Sequence, residues 1–93
     1  MPEAERRLNE LFNVRLGHTR SGAPAVEFSF PFNDDLNSAV KGLPGRVFDW
    51  ERRVWLIPID QPVAQDLSAI LARHRWLSVS PELAGWLRAV DGW

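Results

Sequence analysis

One stretch, "VEFSFPF" at residues 26–32, restricts the fold more than any other. Val26, Phe28, Phe30 and Phe32 recur at every second position. That is the period of a strand with one buried face. An aromatic face of this size needs a partner strand and a layer of helices over it. Upstream, "NVRLGHT" alternates as well, with Val14, Leu16 and His18 on one face, and "RSGAP" between the two runs is turn chemistry. Residues 13–32 therefore read as an antiparallel hairpin. Pro31 has no amide donor, which puts that end of the strand at a sheet edge.

The rest of the chain alternates between helical and extended patterns. "PEAERRLNELF" spaces Ala4, Leu8, Leu11 and Phe12 as a short N-terminal helix. In "NDDLNSAVKGLPG", Asn33 is the expected N-cap. Asp34 and Asp35 suit the positive end of the helix dipole, Leu36, Val40 and Leu43 form the apolar stripe, and Gly42 or Gly45 with Pro44 ends the helix. "RVFDW" and "VWLIPI" are two more strands around the turn "ERR". Asp60 caps a helix with Pro62 in its first turn, lined by Val63, Leu67, Ile70 and Leu71 and running to about Trp76. "LSV" is a short extended link. In "SPELAGWLRAV", Ser80 caps, Pro81 takes the first position, and Leu83, Trp86, Leu87 and Val90 form the apolar face. The expected architecture is α+β, a small antiparallel sheet of two hairpins packed with helices, in the order α-β-β-α-β-β-α-α. Phe28, Phe30, Val40, Leu43, Phe48, Leu56, Leu67, Ile70 and Leu71 should supply much of the core.

The 93 residues suffice for one domain spanning 1–93, and 45% hydrophobic with 25% charged residues is a globular composition. Five tryptophans and no tyrosine give a small domain large rings to bury. With no cysteine, disulfides and thiolate metal sites are excluded. No apolar run is long enough to span a membrane, and the charged "MPEAERRLNE" has no apolar segment of a secretory signal. The expected location is cytoplasmic.

Catalytic signatures are missing. There is no G-x-x-x-x-G-K-[ST] and no G-x-G-x-x-G phosphate loop. His18 and His74 stand alone in their segments, so no metal-ligand spacing arises, and His74 reads as a packed histidine on an apolar helix face. Asp34 and Asp35 are explained by capping, and no nucleophile has an adjacent base. A nuclease-like domain would need clustered carboxylates binding a divalent metal, and the sequence shows no such set. The chain alone reads as non-enzymatic, with no catalytic residue, no metal site and no cofactor.

What remains is "RVFDWERRVW" at 46–55 and its surroundings. The net charge of the chain is −1, which argues against a uniformly basic nucleic-acid binder. Between residues 41 and 53, however, Lys41, Arg46, Arg52 and Arg53 face only Asp49 and Glu51, a local balance of +2. "RHR" at 73–75 adds cations beside Trp76. Cations beside exposed rings suit nucleic acid: they neutralise phosphates and release counterions, while a ring stacks on an unpaired base. The same residues also fit an ordinary solvated hairpin, with Asp49 pairing Arg53 across it and Trp55 anchoring its strand.

The pattern K-x4-R-x-[FY]-D-x3-R-x-W, present as Lys41, Arg46, Phe48, Asp49, Arg53 and Trp55, resembles the core of the HARP domain, named for HepA-related annealing helicases. An alternating aromatic strand, "VEFSFPF", and a short helix, "NDDLNSAVKGL", precede it as they do in that family. The likeness covers about residues 26 to 60, roughly a third of the chain. Phe48 departs from the common tyrosine, so a hydroxyl contact there is absent, and Trp50 and Arg52 fall at variable positions. The resemblance implies a non-catalytic accessory module of a superfamily 2 (SNF2-like) DNA-dependent ATPase. Such a module would recognise forks and single-strand/double-strand junctions in DNA repair or fork remodelling. It implies further that residues 1–93 are the N-terminal piece of a larger helicase-like protein, with DNA and the motor domain of the same polypeptide as partners. On this reading Lys41, Arg46, Arg52 and Arg53 contact phosphates, Trp50 stacks on a base, Trp55 is structural, and Asp49 orients Arg53. The alternative is a protein-docking module that packs on a motor or partner through apolar faces, Trp86 or Trp93 among them, without touching DNA.

Overall fold

A computed structural model describes residues 11–31, 33–59 and 63–92. The elements are β1 (Asn13–His18), β2 (Pro24–Ser29), α1 (Asp34–Lys41), β3 (Val47–Asp49), β4 (Val54–Pro58), α2 (Ala64–Arg73), β5 (Ser78–Val79) and α3 (Pro81–Asp91). The class is α+β, as the periodicities imply. The expected N-terminal helix lies outside the described residues except for Leu11 and Phe12, as do Phe32, Asp60, Pro62 and Trp93.

Both expected hairpins form, but they are not separate units. They join into one five-stranded sheet of order β3-β4-β2-β1-β5. β2 pairs antiparallel with β1 and β4, with Phe28 opposite Val14 on one side and Trp55 on the other. β2 is therefore central, and Pro31 avoids the ladder because the strand ends at Ser29, not because it lies at an edge. "LSV" is more than a link. Ser78 and Val79 pair parallel with Asn13 and Val14, which makes the sheet mixed.

Strand alternation sorts β2 cleanly. Val26 and Phe28 enter the main core with Val14, Ile57, Leu36, Val40, Leu67, Leu83 and Leu87. Full burial of such a side chain stabilises by roughly 1.5–3 kcal/mol. Ala25 faces the other way and forms a small second cluster with Val54 and Leu56. Leu56 thus belongs to the second face, whereas Phe30 and Phe48 are only half-buried.

Two of the helices, α1 and α3, start at side-chain caps, whereas α2 starts from Val63 with no side-chain cap, so it begins later than the cap expected at Asp60. Asn33 Oδ1 accepts the Leu36 N–H at 3.0 Å, and Ser80 Oγ accepts the Leu83 N–H at 3.2 Å. Gly42 closes α1. The α2 helix stops at Arg73, short of Trp76, because His74 turns back on it. Its backbone N–H and its ring Nδ1 both meet the Ile70 carbonyl, at 3.0 and 2.9 Å. A carbonyl only accepts, so Nδ1 carries the proton. Leu83 and Leu87 bury the α3 stripe, but Val90, expected to extend it, is 53% exposed. Ser68 Oγ donates to Asp91 Oδ2 at 2.8 Å and ties α2 to α3.

Candidate nucleic-acid interface

The β3–β4 turn is built around Asp49. Its Oδ1 accepts the N–H of Glu51 at 3.0 Å and of Arg52 at 3.2 Å, closing residues 49–52 into an Asx-type turn. The Arg52 N–H above all, then the Glu51 N–H and the Arg20 guanidinium, hold the Asp49 carboxyl below its ordinary value against the opposing effect of burial. Arg53 follows with φ 56°, the only described residue other than glycine in the left-handed region. This reversal sends β4 back so that Phe48 lies opposite Trp55.

Asp49 was expected to orient Arg53, and it does not. Its charged partner is Arg20, in the turn of the first hairpin. The Arg20 Nη2 lies 3.5 Å from Asp49 Oδ1 and 3.6 Å from Glu51 Oε2. Arg52, grouped by sequence with the phosphate contacts, points to the opposite face of the sheet. There its guanidinium pairs with Oε1 of Glu27, and Arg15 Nε holds Oε2. The Arg52 contact is a charge contact outside hydrogen-bonding geometry. Glu27 is 1% exposed on the central strand, so the two arginines compensate a carboxylate that has left water.

These pairings sort the charges. Both acids of the tip and Arg52 are engaged on one side. Lys41, Arg46 and Arg53 make no ion pair among the described residues. Lys41 and Arg53 border a groove of about 530 Å³ on the helix-covered side, walled by Phe28, Phe30, Phe48, Trp50 and Trp55, with Pro31 and Asn37 completing it. That volume lies within the range of small-ligand clefts, about 300–1,000 Å³. Asn37 and Lys41 are one helical turn apart, so α1 presents both to the groove. Arg46 is exposed just before β3 and does not line the groove.

The rings in the wall meet edge to face. Phe48 lies 4.7 Å from Trp50 at 74° and 5.1 Å from Trp55 at 69°. Trp50 is 80% exposed. Trp55 is half-buried and packs on the core, so it acts as both anchor and wall. The second cationic segment is elsewhere. Arg73 and His74 border a cleft with Asp35, Ser38, Ala39 and Gly42, on another side of α1 from Asn37 and Lys41. Segments 41–53 and 73–75 therefore flank the helix and do not share the groove.

Of the residues singled out from sequence, the groove brings together Lys41, Trp50 and Arg53 but not Arg46 or Arg52, and its wall also holds Asn37, Phe30 and Phe48, which the sequence reading did not assign to the site. The one available signal was the i, i+4 spacing of Asn37 and Lys41. Among the described residues no group of three or more His, Cys, Asp or Glu converges to hold a metal, and no helix is long and apolar enough to cross a membrane. Scans against protein-family models, curated proteins and solved structures return no significant match.

Proposed function

We propose that this chain is a non-catalytic DNA-structure-recognition module. It engages forks and single-strand/double-strand junctions in support of a superfamily 2 helicase-type motor in DNA repair or fork remodelling, in the cytoplasm at the bacterial nucleoid. The observation that carries this reading is the groove itself: four partly or fully exposed aromatic side chains over the buried Phe28 and two unpaired cations, with no carboxylate in the wall among the described residues. Such a site attracts a polyanion that also offers flat rings, and DNA with unpaired bases is both. Lys41 and Arg53 hold phosphates beside the groove, Arg46 extends the cationic track, and Trp50 supplies a stacking surface. Arg52 serves the hairpin through Glu27. The HARP-like residue pattern points to the same class of ligand.

The test is a titration of the full chain with forked, single-stranded and duplex DNA of matched length, at several salt concentrations. Three phosphate contacts predict a log–log salt slope between about −2 and −3. Lys41→Ala and Arg53→Ala should each make it shallower by nearly one, and Arg52→Glu should act mainly through stability. If no DNA form binds at low salt, the reading fails and the groove becomes a protein-docking surface.

A further inference from the structure

The lining of the groove implies a narrower ligand than DNA in general. Among the described residues every aromatic pair is T-shaped, with interplanar angles from 69° to 87°. An edge-to-face contact covers at most one face of each ring. With Phe48 as its ring neighbour and 80% of its surface exposed, Trp50 keeps at least one indole face open for parallel stacking. Duplex DNA offers no free base face along its length, because each base is stacked between its neighbours. An unpaired base does. Among the described residues Asn37 is the one neutral amide in the wall, a donor and an acceptor for a base edge. A neutral aromatic ligand would leave Lys41 and Arg53 uncompensated, whereas a nucleotide brings its own anions.

We propose that the groove seats a single unpaired base, stacked on the indole of Trp50 with its edge towards Asn37, while Lys41 from the helix wall and Arg53 from the turn hold the phosphates on either side. This rests on the DNA reading above and narrows it to one nucleotide position at the junction. Specificity for a fork then arises without any reading of sequence, because every base has a π face and only unpaired bases reach the groove.

The experiment uses the full chain and a set of forks in which one abasic residue is walked through the unpaired arms, a nucleotide at a time. One position should weaken binding by about 5- to 150-fold, the effect of losing one base–aromatic stack. Trp50→Ala should lose the same factor on the intact fork and no longer distinguish it from the abasic one, whereas Trp50→Phe should recover part of the difference. Trp50 is exposed, so thermal melts of these variants should match the parent and exclude unfolding. If every abasic fork binds like the intact one, with the affinity still falling in salt, the base-seating proposal is wrong and the DNA reading stands. If no fork binds at all, both fail.

Discussion

Replacing Arg53 by glycine should leave the domain at least as stable as the parent and, on the proposed function, should weaken DNA binding. A residue with a Cβ held in the left-handed region is disfavoured by about 1–2 kcal/mol, and at Arg53 φ is 56°. Glycine removes that strain. Its greater freedom in the unfolded chain takes back about 0.5–1 kcal/mol. Arg53 makes no ion pair among the described residues, so no attraction is lost. The net change is therefore between about zero and 1.5 kcal/mol in favour of the variant, or a Tm from unchanged to roughly 10 °C higher for a domain of this size. Its neighbour gives the opposite result. Arg52→Ala strips Oε1 of a carboxylate that is 1% exposed of its partner. Breaking a fully buried pair costs about 3–5 kcal/mol. The Arg52 side chain is 46% exposed and Arg15 remains on Oε2, so about 1–2 kcal/mol is the proper expectation here. Urea and thermal unfolding of the two variants, with fork titrations alongside, provide the assay. A clear loss of stability in Arg53→Gly, or none in Arg52→Ala, would refute the assignment of one arginine to the groove and the other to the fold.

Gly17→Ala should destabilise by about 1 kcal/mol, because a Cβ there would sit 3.3 Å from Glu27 Oε1 in a site already closed by two arginines; a urea series reads it. Asp49 has a lowered folded-state pKa, so its contribution is present above the unfolded carboxylate value near 4 and is lost as pH falls below that through the folded value. Asp49→Ala should therefore show a shallower decline in stability as pH falls below about 4 than the parent, measured by urea midpoints at each pH. Asn33→Ala should cost about 1 kcal/mol through loss of the Leu36 cap, lowering Tm by roughly 4–8 °C, and Asn33→Asp should restore most of it.

Several local signals match the structure, although the expected cap at Asp60 and the expected helix end near Trp76 do not, since α2 runs from Ala64 to Arg73 with Val63 as its N-cap. The alternation Val26, Phe28, the Asn33 and Ser80 caps and the β1–β2 turn depend on a few neighbouring residues, and each is where the sequence indicated. Pairing between distant segments was not legible. Nothing in "VWLIPI" says that Trp55 lies beside Phe28, and two residues of "LSV" are too few to show a period. Glu27 alternates as a solvent-facing position should. It is buried only because Arg15 and Arg52, distant in sequence, converge on it. The candidate site divides on the same ground. Arg52 and Arg53 are equivalent as letters, and the turn set by Asp49 sends them to opposite faces.

The tip of the second hairpin is tethered from two directions, by Arg20 of the first turn and by Glu27 of the central strand. A platform held in this way gives up little freedom when a partner arrives, so less of the contact energy is spent on ordering it. Encounter then needs no rearrangement of Trp50 and Arg53. The difference between a fork and a plain duplex should appear in residence time, with arrival rates that remain similar and fall together as salt is raised.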